Sequence, residues 1–213
     1  MLRRRSRVLI ALASLALGLV YFAPLWKIDL VAPQYPEGLG MLIGVNSITG
    51  AGPHDLQNIN GLNHYIGMAP IVPDSIPELQ IMPWVFGLFL VTGLLVAWLG
   101  RRVPFFIWTS LFVIMAVVGL ADFYKWEYEY GHNLDPTAAI QVPGLSYQPP
   151  LIGEREILNF TAKAWPGLGG WAAIAAGLIA TGVMFTEVRG GAKQTQGQVP
   201  SAEPSHRPKE VPV

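Results

Sequence analysis

Two of the chain's four histidines, three asparagines and a methionine fall within the seventeen residues 52–68, Gly-Pro-His-Asp-Leu-Gln-Asn-Ile-Asn-Gly-Leu-Asn-His-Tyr-Ile-Gly-Met. If residues 55–68 are helical, Asn60, His64 and Met68 lie at i, i+4 and i+8 and share one face. Imidazole and thioether are ligands suited to copper, and the thioether favours Cu(I). His54 stands just before this segment, Met41 and Met82 flank it, and His132 lies further on in Tyr130-Gly-His-Asn-Leu-Asp-Pro136. A site of His54, His64 and Met68, with His132 or Met41 added, has plausible ligand chemistry. The spacing is no metal signature, because His-x-His, HExxH and methionine-repeat patterns are all missing. The plainer account competes with it: methionine fills packing gaps, and asparagine caps helices and satisfies turns.

The elements that must position these residues are those of a membrane protein. Hydrophobic residues make up 52% of the 213 residues and charged residues 13%, with a mean hydropathy of +0.40. Four apolar stretches, about residues 8–26, 83–100, 104–124 and 167–188, approach or reach the roughly 20 residues needed to cross a bilayer core. The spacing and composition therefore predict an all-α protein of four transmembrane helices with two extracytoplasmic segments, residues 27–82 and 125–166. A short turn at 101–103 and a tail at 189–213 complete the expected organisation. The tail, rich in Gly, Gln, Ser, Pro and Lys and without aromatics, is expected to be disordered.

The basic residues 3, 4, 5 and 7 could introduce a signal peptide, but the apolar run that follows is too long and lacks a small-x-small cleavage site. An uncleaved anchor is expected. With the N-terminus inside, ten Lys and Arg fall on inner segments and four on outer ones, as the positive-inside rule requires. Eleven acids fall outside and three inside, giving formal charges of 4 − 11 = −7 and 10 − 3 = +7. An inner-membrane protein with both termini cytoplasmic is therefore expected.

Within the first outer segment, Pro24, Pro33 and Pro36 predict an extended start, and residues 55–68 predict a short amphipathic helix on the membrane's outer surface. The second outer segment, with Pro136, Pro143, Pro149 and Pro150, reads as mostly irregular, with a short helix at 154–164. The run 122–130, Asp-Phe-Tyr-Lys-Trp-Glu-Tyr-Glu-Tyr, reads as an interfacial aromatic belt whose acids face water. It also suits a surface that attracts a cation or docks a basic partner. Glycines at 167, 169, 170, 177 and 182 read as close helix packing.

Catalytic patterns are thin. The chain has no cysteine, which excludes disulfides, thiolate metal sites and cysteine nucleophiles. Ser47, Ser75 and Ser146 lack a nucleophile elbow, no nucleotide-binding glycine loop is present, and no histidine falls in a predicted span. Neither an enzymatic reaction nor a nucleic-acid partner is expected.

The stretch 54–68, together with Tyr130-Gly-His-Asn-Leu-Asp-Pro136 and Val142-Pro-Gly-Leu-Ser-Tyr-Gln-Pro-Pro-Leu-Ile-Gly153, resembles a family of small bacterial integral-membrane proteins encoded beside the maturation factors and copper chaperone of nitrous-oxide reductase. The resemblance covers roughly residues 20–185. It implies a role in assembling, supplying or electronically serving a periplasmic copper enzyme, and strengthens the copper reading of His54, His64, Met68 and His132. Asn60 and Asn63 would then be hydrogen-bond partners of the ligands. The competing expectation is a metal-free membrane scaffold that docks a protein partner through its outer face.

Overall fold

The computed structural model describes residues 1–196, with side chains described to residue 189. Four helices pack lengthwise: α1 (Arg4–Ala16), α3 (Pro77–Leu99), α4 (Arg102–His132) and α5 (Leu168–Gln196), with a short α2 (Asp55–Ile66) outside them. Five strands, β1 (Trp26–Ala32), β2 (Tyr35–Ile43), β3 (Ile48–Gly50), β4 (Gly153–Ile157) and β5 (Phe160–Pro166), form one antiparallel sheet in the order β3-β2-β1-β5-β4. The all-α expectation is thus overturned.

Alternation explains the sheet. Along β1, Trp26 and Ile28 are buried while Lys27 is exposed; along β5, Ala162 and Ala164 are buried while Trp165 is exposed. Such a period of two suits a strand with one covered face. The expected helix at 154–164 is instead the β4–β5 hairpin, in which Ile157 pairs with Phe160 across the two-residue turn Leu158-Asn159. Leu158 takes a left-handed φ of 57°, the backbone twist that two-residue hairpin turns demand.

The central pairing joins the two outer segments. β1 comes from the first and β5 from the second, with Trp26 opposite Pro166 and Ile28 opposite Ala164. β1 leaves the bundle where β5 returns to it, and the Gly167 and Gly169 amides donate to Leu25 and Pro24 carbonyls at 3.0 Å each. A Cβ at Gly167 or Gly170 would run into the Pro24 and Leu25 carbonyls, so these two glycines admit the backbone leading into β1 rather than serving the helix packing expected of them.

Among the described residues three helices are long and apolar enough to cross a membrane: Pro77–Leu99, Arg102–His132 and Leu168–Arg189. The expected first span at 8–26 is not a fourth. Its α-helix stops at Ala16, tightens into a 3-10 turn over Leu17–Tyr21, and gives way to β1 at Trp26. Arg4, Arg5 and Arg7 also occupy its first two turns. α1 nonetheless packs in the bundle through Ile10, Ala13 and Leu17, against Phe89 and Val96 of α3 and Ala176 of α5.

α3 starts six residues before the expected Pro83, with Pro77 at its first turn after the extended Ile76, where a missing N–H costs nothing. It ends on Gly100, whose φ of 64° is the left-handed cap that glycine accepts without strain. At 1.5 Å per residue the 31-residue α4 is about 46 Å long, more than a bilayer core requires. Its last turns, from Asp122 on, extend beyond the apolar stretch and pack under the sheet through Phe123, Trp126 and Tyr130. α5 runs to Gln196, so the first residues of the expected tail are helical; residues 197–213 lie outside the described residues.

Candidate functional site: a cavity beneath the sheet

α2 forms where the spacing predicts, but its apolar face meets the sheet. Ile59, Leu56 and Leu62 pack with Met41 and Ile48 of β2 and β3. Each fully buried Ile or Leu contributes about 2 kcal/mol by removal from water. The helix start is tied down by Asp55, whose Oδ2 accepts the Gly40 and Gly52 amides at 2.9 Å each. These two amides hold the Asp55 carboxyl below its ordinary value.

The helix end is set by Gly67, at φ 81°. A Cβ there would lie 2.9 Å from both N and O of Asp135, and the Asp135 amide donates to the Gly67 carbonyl at 2.8 Å. The Ile140 amide donates to Tyr65 at 2.9 Å, so the two outer segments are joined here as well as through β1 and β5. The Asp135 carboxyl is held low chiefly by Thr137, whose hydroxyl and amide both donate to it, and less by His64 nearby.

The candidate donors do not gather at one point. His54 and His64 are exposed and ten residues apart, about 15 Å along α2. His132 is also exposed; its Nδ1 lies 2.9 Å from the Tyr128 carbonyl and its ring stacks on Tyr128 at 3.9 Å. The helix reverses at Gly67 before it reaches Met68, so Met68 leaves the face shared by Asn60 and His64 and turns into a cavity. Among the described residues no three His, Asp or Glu side chains are grouped to hold a metal. The residues present therefore do not fit an enclosed copper site made of His54, His64, Met68 and His132.

The asparagines serve the backbone. Asn60 accepts the Ile71 amide at 2.8 Å and donates to its carbonyl at 3.1 Å, and Asn63 reaches the Ala69 carbonyl at 3.5 Å. Together they fold residues 69–71 back along α2, in place of the expected role beside ligands.

The cavity that Met68 enters, of about 90 Å³, lies between the sheet, α2 and the end of α4. Its wall includes Met41, Trp126, Tyr130, Tyr147 and Phe160. Glu127 of α4 also lines it, fully buried, with neither carboxylate oxygen hydrogen-bonded. Burial pushes this carboxyl up to about 7. Tyr147, 4% exposed, brings a second unpartnered group, its hydroxyl. Tyr147 gets there because the chain crosses α4 at Gly131: its amide donates to the Gly131 carbonyl at 2.9 Å, and a Cβ at 131 would run into the Gln148 backbone.

Sequence reasoning missed Glu127 by treating the acids of 122–130 alike. Asp122 and Glu129 are exposed, as expected, but Glu127 is not. The signal lay in the spacing: Phe123, Trp126, Glu127 and Tyr130 recur at i, i+3, i+4 and i+7, the inward stripe of a helix.

No family model matches the chain, and no curated protein or solved structure matches it either.

Proposed function

We propose that the protein is a membrane-anchored accessory factor, without catalytic activity, whose outer cap docks a protein partner with a basic face. The observation that supports this is its bipolar charge. At one end the Leu2 amide donates to Gly100 at 2.7 Å, Arg102 meets Glu187 at 3.0 Å, and Arg3, Arg4, Arg5, Arg101 and Arg189 are exposed. At the other, around the sheet, Glu37, Asp74, Glu129, Asp135, Glu154 and Glu156 are exposed. The positive-inside rule turns the arginine end to the cytoplasm of a bacterial inner membrane and the acidic cap outward. A surface with a net acidic excess of this kind, in which Lys125 and Lys163 pair with only some of the acids, steers an oppositely charged protein and fixes its orientation.

The resemblance noted above names the partner class: a periplasmic copper enzyme of the nitrous-oxide reductase type, or its copper chaperone. The test is crosslinking in cells from a photoreactive residue at Glu156. A crosslink to such a protein, lost when Glu154 and Glu156 are both changed to Lys and retained in copper-free medium, is expected. Its absence, or its indifference to charge reversal, would refute the docking role.

A second reading, copper supply at the outer face, has its own observation. The Gly67–Asp135 seam brings exposed His64 beside the segment that carries His132, where open ligands would exchange a metal rather than enclose it. His64→Ala should then weaken Cu(I) binding to the purified protein; undiminished affinity removes this reading.

A further inference from the structure

The cavity beneath the sheet holds a buried acid that no atom of the described residues partners. Glu127 is fully buried and its two oxygens are unpartnered, while a carboxylate taken from water without compensation costs several kcal/mol. Among the described residues no Lys, Arg or His lines the cavity, and the other titratable groups facing it are Tyr130 and Tyr147. The Lys and Arg side chains of the two outer segments are engaged elsewhere: Lys27 with Asp29 at 2.8 Å, Lys163 with Glu154 at 3.1 Å, Lys125 with Glu129 at 3.6 Å, and Arg155 with the Gln148 carbonyl at 3.3 Å.

We propose that this cavity binds a small alkylammonium cation, with Glu127 as the counter-charge and Trp126, Tyr130, Tyr147 and Phe160 as its aromatic wall. Three features select this chemistry. The carboxylate calls for N–H donors bearing positive charge. Aromatic rings attract organic cations, and the wall carries four, of which Trp126 and Tyr130 pack against each other with centroids 4.3 Å apart. The Tyr147 hydroxyl, also unpartnered, adds a second polar group to the lining. A hard divalent ion would require several oxygen ligands, and the wall provides one carboxylate.

Size narrows the ligand further. A cavity of about 90 Å³ is smaller than the roughly 150 Å³ that accommodates benzene, so the guest has on the order of four or five heavy atoms. The acidic cap around the site raises the local concentration of cations. This inference stands whether or not a protein docks on the cap.

The test uses the full chain in lipid nanodiscs at pH 8, where Glu127, pushed up to about 7, is ionised and an alkylamine is still protonated. Met41 and Met68 line the cavity, so their ¹³C-labelled methyl groups report its occupancy. Isopropylammonium is titrated against its neutral isostere 2-propanol. Saturable shifts of both methyls by the ammonium, with at least tenfold weaker binding of the alcohol, are expected. Glu127→Gln should abolish that preference while the other methionine signals stay in place; this variant removes an uncompensated buried charge and should fold. Tyr147→Phe should weaken binding severalfold. Equal binding of amine and alcohol, undiminished amine binding by Glu127→Gln, or no shift with the amine would overturn the proposal. So would Cu(I) occupying the same two methionines beyond displacement by the amine.

Discussion

The Glu127 carboxylate and the Tyr147 hydroxyl line one cavity, and neither has a hydrogen-bond partner among the described residues. They come from different elements: Glu127 from the last turns of α4, Tyr147 from the irregular segment that crosses it at Gly131. The cavity exists only because the second outer segment closes over α4 and returns as a strand beside β1.

Stability should depend on pH through Glu127. Its carboxyl sits at about 7 in the folded protein against 4.5 ordinarily, so between those values the folded state keeps a proton that the unfolded state has lost. Stabilisation from this group is complete below about pH 4.5 and fades as pH rises through 7, by on the order of 3 kcal/mol in all. Denaturation midpoints in detergent should show a fall from pH 5 to pH 8 that Glu127→Gln removes. An identical fall in the variant would contradict the assignment.

Gly131→Ala should loosen the cap without disturbing the bundle. The added methyl meets the Gln148 backbone, which cannot rotate aside as a side chain would. Overpacking of this kind costs about 1–3 kcal/mol. Hydrogen exchange should accelerate at Tyr147, whose amide bonds to Gly131, while amides in the middle of α3 stay protected.

Asn60→Ala removes two hydrogen bonds to Ile71 and leaves that residue's backbone, buried at 5% exposure, without its partners. A loss of about 1–3 kcal/mol follows. Because Asn60 braces residues 69–71, Cu(I) affinity should be unchanged in the folded variant; a specific loss of copper would return it to a ligand-supporting role.

At the arginine end, Glu187 is fully buried and is met by Arg102 at 3.0 Å, the Ser6 hydroxyl at 2.7 Å and the Arg3 amide at 3.2 Å. Arg102→Ala strands that carboxylate and should cost on the order of 3 kcal/mol, whereas Arg102→Lys should recover part of it. Equal thermal midpoints for wild type and Arg102→Ala would show that the pair adds nothing.

The long helices were readable because runs such as Gly-Leu-Phe-Leu-Val-Thr-Gly-Leu-Leu-Val at 87–96 have no soluble alternative. α2 was readable from its three- and four-residue spacing. The sheet was missed because each strand is short and its partner lies far along the chain: Ile28 pairs with Ala164. Trp26-Lys-Ile-Asp-Leu does alternate, and an extended start to the outer segment was expected there, but five alternating residues named no partner strand. In the second segment Pro136, Pro143, Pro149 and Pro150 all precede β4 at Gly153, which left 154–164 open to a helical reading, so the hairpin was missed. The donors were misplaced for a local reason: i, i+4, i+8 counting runs through Gly67, where the helix turns back.

Everything proposed for the cap rests on β1 and β5 being neighbours, and the cysteine-free chain allows a clean test. Asp29 and Lys163 are paired across these strands and partly exposed. Antiparallel partners lie roughly 4.5–5.5 Å apart at Cα, within disulfide range. The double variant Asp29→Cys, Lys163→Cys should form an intramolecular disulfide under mild oxidation in membranes, while Asp29→Cys with Glu37→Cys should not. Failure of the first pair to link, or equal linking of both, would contradict the joined sheet and with it the cavity and the docking face.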